Sequence, residues 1–193
     1  MSEDAQTKQK LIESAKKDFL KYGYKNASLR RICRSADVTT GALYFFFENK
    51  EALFEAVIEK PLGEFRALFD SMVKAEFDDP KAFSETEDKM IRFLLGYRTE
   101  MIIILDRSQG TKYEDFKEKY LRTLEGIFTM FFKKFLPEPD LNLIHIITAM
   151  RFYGYLEILY GDYSEDEAVD LAQKTGIYAD AGFIGLIDTL KKQ

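Results

Sequence analysis

Apolar positions along this chain recur at three- and four-residue intervals, which predicts helices throughout. Leu11, Ile12, Ala15 and Phe19 mark the inner side of the first, with lysines on its other face. Gly23, between Tyr22 and Tyr24, predicts the stop, since glycine tolerates the left-handed conformation needed at a helix end. Ser28 then predicts the cap of a second, short helix with Leu29, Ile32, Cys33 and Ala36 on its buried side. Asp37-Val38 reads as a tight turn, and Thr39 as the cap of a third helix. Within that helix Leu43 and Phe47 share a face, so Tyr44 and Phe45 must point elsewhere. Two short helices joined by a tight turn form a helix-turn-helix, whose second helix enters the DNA major groove.

Asn49 predicts the cap of a fourth helix, with Lys50 in its first turn. Its apolar face runs through Leu53, Phe54, Val57 and Ile58 and resumes in Leu62, Phe65, Phe69 and Met72. Pro61 interrupts that face. A proline inside a helix costs about 3 kcal/mol, so Pro61 predicts a kink, a hinge or a helix break. Asp78-Asp79-Pro80 ends this part. Three later helix starts carry a Ser/Thr followed three residues on by Glu: Ser84/Glu87, Thr111/Glu114 and Ser164/Glu167. The remaining helices are expected over roughly 85–107, 112–135, 140–160 and 165–191. The expected fold is all-α, with a DNA-binding head over 1–55 and a helical body over 56–193.

Composition adds a location. Residues Met1 to Lys10 are polar and hold no apolar signal core, and no apolar run approaches the roughly 18 residues of a membrane span. The single cysteine, Cys33, excludes an internal disulfide framework. A soluble, cytoplasmic protein is expected, with Cys33 a small packed core residue. Charge changes the picture more. The net charge of −5 argues against nucleic acid, but its distribution reverses that argument. From Lys8 to Lys50 there are ten basic residues against four acidic, whereas residues 51–193 hold 18 against 27. A basic head on an acidic body is the asymmetry expected where one segment meets phosphate.

The motif Gly41-x-Leu43-Tyr44-x-x-Phe47-x-Asn49-Lys50-Glu51-Ala52-Leu53 resembles the recognition-helix signature of the tetracycline-repressor (TetR) family of transcription regulators. Upstream, Leu11-Ile12, Ala15, Phe19, Gly23-Tyr24, Ser28-Leu29-Arg30 and Ile32 agree with the same family. Phe46 departs from it, standing where histidine or tyrosine is frequent. The resemblance implies base-side contacts from Thr40, Gly41 and Phe45, and DNA-backbone contacts from Thr39, Tyr44 and Lys50. Phe45 suits a thymine methyl. Arg30, early in the second helix, suits a guanine or a phosphate. Packing of Tyr44 and Phe45 inside the head is the competing use of those rings. One head binds too weakly to specify a site, so a homodimer on a palindromic double-stranded operator is implied, with half-sites about 34–36 Å apart or a multiple of that.

Family members pair their last two helices between subunits. Here Ala172, Thr175, Gly176, Ala179, Gly182 and Leu186 form a small-residue stripe that reads as the dimer interface, packing within one subunit being the other use of such a stripe. The middle helices resemble the family's effector-binding body. Arg98, Phe128, Phe132, Arg151, Tyr155 and Tyr178 are its candidate pocket residues for an unknown small molecule, ordinary core packing being the alternative. His145, flanked by isoleucines, reads as a packed or interface histidine. No metal-spaced His/Cys cluster, glycine-rich phosphate loop or histidine beside a nucleophile is present, so neither an enzyme, a cofactor nor a metal is expected. The expected function is a ligand-responsive repressor. The alternative is a helical ligand-sequestering or protein-interaction module without DNA binding.

Overall fold

The computed structural model describes residues 2–78 and 83–192, and side chains within them outside 76–87. All regular elements among these residues are helices: α1 Glu3–Asn26, α2 Leu29–Ala36, α3 Thr40–Phe46, α4 Lys50–Asp78, α5 Phe83–Gly96, α6 Arg98–Asp106, α7 Phe116–Lys133, α8 Leu141–Tyr160 and α9 Glu165–Leu190. The local signals mostly act as read. Gly23 breaks α1 at φ 71°, ψ 164°, leaving one short turn before α2. Ser28, Thr39 and Asn49 each accept an N–H from the residue three further on. Asp37 takes the left-handed conformation between α2 and α3. Ser164 and Glu167 form a reciprocal capping box at α9.

Three expectations change. Pro61 neither ends nor divides α4, which is helical from Lys50 to Asp78. Leu62 and Phe65 are buried beyond it, as Val57 and Ile58 are before it, so continuous burial of one face offsets the proline's cost. The helix expected over 85–107 is two, interrupted at Tyr97 with φ −114° and ψ 28° directly after Gly96. Thr111 and Glu114 build a turn instead of a capping box. Thr111 donates to the Ser108 carbonyl at 2.8 Å, Glu114 accepts from the Gly110 N–H at 3.0 Å, and α7 starts only at Phe116. Asp79-Pro80 and the side chains of Ser84 and Glu87 lie outside the described residues.

The chain forms two compact units, Met1–Phe65 with Tyr97–Lys117, and Arg66–Gly96 with Glu118–Gln193. In the first, α1 packs against α2, α3 and α6. Leu11, Ala15, Phe19, Ile32, Leu43, Leu53 and Phe54 are fully buried there. The Phe54 ring meets Phe19 edge-on at 5.1 Å and Tyr24 at 5.3 Å. In the second unit, α9 lies along α5, with Ile91, Ile158, Ala168, Val169 and Ala172 as one cluster. Phe132, Ile144 and Ile187 form another, against which Phe128, Phe183 and Leu186 pack. No helix among the described residues is long and apolar enough to cross a membrane.

Candidate DNA-binding site

The seven-residue α3 presents two faces of opposite character. Leu43 is fully buried, and Phe47 closes the helix from beneath as its equally inward-facing C-cap. With both on the core side, the outer face must carry Thr40, Gly41, Tyr44 and Phe45, and all four are exposed. Phe45 stands 75% exposed, which rules out packing inside the head as its use. Phe46 is half-buried and meets the Phe45 ring edge-on at 5.0 Å, so the atypical residue at this position props the ring that projects. Thr39 accepts the Ala42 N–H at 3.1 Å, leaving its hydroxyl hydrogen to donate outward.

Exposed cations are frequent on the neighbouring α1 and α2, although the acids that flank α3, Asp37 and Glu48, are exposed too. Lys8, Lys10, Lys17, Lys21 and Lys25 line α1, and Arg30 and Arg34 lie on the outer side of α2. Cys33 is buried, and burial pushes its thiol pKa up, as expected of a packing residue.

Lys50 departs from expectation. Its ammonium donates to the carbonyls of Tyr24 at 2.7 Å and of Lys25 and Ala27 at 3.3 Å, and it lies 4.5 Å from the Tyr24 ring centre. A lysine has three N–H donors, and all three are used inside the head. A phosphate contact of the kind implied for Lys50 by resemblance would have to compete with these carbonyls.

Sequence reasoning missed a second cation, Arg31, and its acid. Asp18, 6% exposed, accepts from the Ser28 N–H at 3.0 Å and from Arg31 Nη2 at 2.9 Å, with Arg31 Nε bonded to its other oxygen. The Arg31 guanidinium also lies 3.8 Å above the Tyr22 ring. The available signal was position: Asp18 falls on the Leu11–Ala15–Phe19 face, where a lone carboxylate needs a partner.

Residues 11–57 match the family model described as "Bacterial regulatory proteins, tetR family". Across most of the length, the transcriptional regulator UidR of Escherichia coli K12 is 26% identical over 186 residues, covering 90% of this chain and 89% of UidR. The head thus carries the sequence pattern of tetR-family regulators, and the whole chain is similar in sequence to a transcriptional regulator. Its fold is also that of solved transcriptional regulators. A transcriptional regulator from Aquifex aeolicus superposes with TM-score 0.61 at 21% identity, covering 88% of this chain and 96% of that one. AibR, solved in complex with isovaleryl coenzyme A and operator DNA, gives 0.57 at 22% identity, covering 88% and 97%.

In this head, Gly41 matters through what it lacks. A Cβ built there would meet nothing nearer than Thr39 Oγ1 at 3.9 Å, so the fold does not require glycine. Gly41→Ala should raise head stability by up to about 1 kcal/mol through helix propensity. It should weaken operator binding by roughly tenfold, the worth of one base-edge contact. Melting curves and a DNA titration of the same preparation separate the two effects; unchanged affinity would remove Gly41 from the contact surface.

The other two residue sets are only partly assembled. Of the candidate pocket residues, Arg98 belongs to the first compact unit and the other five to the second. Phe132 and Phe128 are core packing, and Tyr155 packs on the α5–α9 cluster. Arg151 stacks 5.4 Å from the Phe128 ring centre, and its charge opposes the burial that pushes the Asp180 carboxyl up. Tyr178 is 75% exposed. An open cleft of about 340 Å³ in this unit is instead lined by Arg122, Glu125, Gly126, Thr129, Leu141, Ile144 and His145. His145 is exposed there and pairs with Glu125 at 2.6 Å, so it is not a packed histidine.

The expected dimer stripe is likewise divided. Ala172 and Gly176 are buried, Ala172 in the cluster with Ile91 of α5, and Leu186 packs on the Phe132 cluster. Small side chains here let α9 approach its own chain's α5. Only Thr175 and Gly182 of the six are exposed, with Ala179 half-buried. The outward faces carry larger residues: Ile146, Met150 and Tyr153 on α8, and Ile177, Tyr178 and Ile184 on α9.

Proposed function

We propose that this protein is a ligand-responsive transcriptional repressor that binds a palindromic operator as a homodimer, in the cytoplasm and without enzymatic activity. Residues 1–55 form its DNA-binding part and 56–193 its effector-binding and dimerisation part. The carrying observation is the outer face of α3, where Tyr44 and Phe45 project from a head rich in exposed cations while Leu43 and Phe47 hold the helix from beneath. Exposing two large rings on a seven-residue helix has no folding benefit, and apolar contact with base edges gives them one. Thr39, Thr40, Gly41, Tyr44, Phe45 and Arg30 are the contacting residues. The complex of AibR with isovaleryl coenzyme A and operator DNA supports a small-molecule effector for a protein of this fold. Such an effector acts only through its different affinities for DNA-competent and incompetent states, so effector and operator must weaken each other equally.

The test is selection from random duplexes, followed by titration of enriched sites at several salt concentrations. An inverted repeat should emerge, with affinity falling steeply as salt rises because phosphate neutralisation releases counterions. Tyr44→Ala should weaken binding to every enriched site while leaving the melting temperature in place. Failure to enrich any sequence at low salt, with the wild type folded, would falsify the DNA-binding reading.

A further inference from the structure

Two phenylalanines stand side by side near the end of α3, Phe45 turned outward and Phe46 half-buried. Their rings meet edge to face, with centres 5.0 Å apart and planes at 84°. Phe46 is held from its other neighbour, since Phe47 is buried and caps the helix. Neither ring carries a hydrogen-bond donor or acceptor, so neither can read the polar pattern of a base edge or hydrogen-bond a phosphate oxygen. Those tasks fall to Thr40 and Tyr44, exposed on the same helix. In the major groove only thymine presents an apolar group, its C5-methyl. A ring on this face has therefore one base feature to select. A lone exposed phenylalanine moves among its rotamers and loses that freedom on contact. The edge of a second ring restricts it beforehand, in the geometry that aromatic pairs prefer.

We propose that Phe45 and Phe46 together read base methylation: Phe45 meets the C5-methyl of one thymine in each half-site, and Phe46 is the positioning residue that holds the Phe45 ring for it. The proposal deepens the DNA-binding reading above and rests on it. One Phe45 per head gives one such thymine per half-site. The C5-methyl is the whole difference between thymine and uracil, and 5-methylcytosine carries its methyl on the same ring carbon. The head should therefore reject uracil at that step and prefer 5-methylcytosine to cytosine, which makes operator affinity responsive to the methylation state of the base.

The test remakes the enriched duplex with each thymine in turn replaced by uracil, symmetrically in both half-sites, and titrates it with the full chain. At one position uracil should weaken binding roughly fourfold per half-site, the transfer worth of one buried methyl group, and so roughly fifteenfold for the symmetric pair. Cytosine placed there should bind more weakly than 5-methylcytosine by the same factor. Phe45→Ala should bind the thymine and uracil duplexes alike; Phe45 is exposed, so its truncation leaves the core intact. Phe46→Leu keeps an apolar side chain at the half-buried position but removes the ring edge. Its thymine-to-uracil ratio should fall below half the wild-type value. A ratio unchanged in Phe46→Leu overturns the positioning role, because simple damage to the head weakens both duplexes equally. An enriched half-site that holds no thymine, tolerance of uracil at every position, or a methyl preference that survives Phe45→Ala overturns the methyl contact. Failure to enrich any duplex is a different result, since it removes the DNA-binding reading and this proposal with it.

Discussion

Asp18→Ala is expected to destabilise the first compact unit by about 2 kcal/mol, the scale of leaving a buried hydrogen-bonding group without its partner. Three bonds disappear with that carboxylate, two from Arg31 and one from the Ser28 N–H. The Ser28 N–H is the more consequential loss. It sits at the α2 cap, where no helical carbonyl can replace the acceptor. Arg31 keeps its contact with the Asn26 carbonyl and its place over Tyr22, so water relieves part of its loss. Urea denaturation at fixed protein concentration should show a lower midpoint with an unchanged slope. Asp18→Asn should fall between, because its amide oxygen can still accept from Ser28. A midpoint shift worth less than about 0.5 kcal/mol in the alanine variant, the scale of an ordinary surface substitution, would show that the pair is solvated and does not hold α2 in place.

That acid also marks the limit of what the sequence disclosed. Signals confined to a few neighbouring residues were legible: the caps at Ser28, Thr39 and Ser164, the glycine stop at 23, and the division of α3 into a Leu43/Phe47 side and a Tyr44/Phe45 side. Each depends on local backbone geometry, which adjacent residues determine. Side-chain partners far apart in sequence were not legible. Lys50 finds carbonyls some 25 residues away. Its position at a helix start suggested a phosphate because nothing nearby in sequence offered another acceptor. Pro61 failed for a related reason, since the burial that carries α4 through it involves tertiary contacts. In α9 the periodicity was correct but its outward side was not. Small residues suit any close helix approach, and α5 of the same chain occupies that side. The candidate pocket fared worst, because Phe128 and Phe132 at helical spacing look the same whether they enclose a cavity or fill one.

The inversion of α9 moves the proposed subunit contact to residues of a different kind. Ile177 and Ile184 are 70% and 62% exposed, seven residues apart on one side of the helix, with Tyr178 beside them. On the neighbouring α8, Ile146, Met150 and Tyr153 follow at matching three- and four-residue steps. Burying an isoleucine is worth about 1.5–3 kcal/mol, so a two-fold contact repeating these six positions has ample apolar surface to hold a dimer. Gly182 and Gly185 lie on the outer side with open space where a Cβ would be, which allows another helix to come close. The double variant Ile177→Glu/Ile184→Glu would place four carboxylates in that contact, and an unpaired buried charge is prohibitive. Since both sites are exposed in the single chain, its helicity and core should be unaffected. Sedimentation should therefore show a dimer for the wild type and a monomer for the variant. Affinity for a two-half-site operator should drop by a factor on the order of 100, the lower end of the gain from linking two binding modules. One isolated half-site should bind the variant and the wild type alike at low salt, which separates lost pairing from a damaged head. A variant that remains dimeric at micromolar concentration would place the subunit contact elsewhere on the chain.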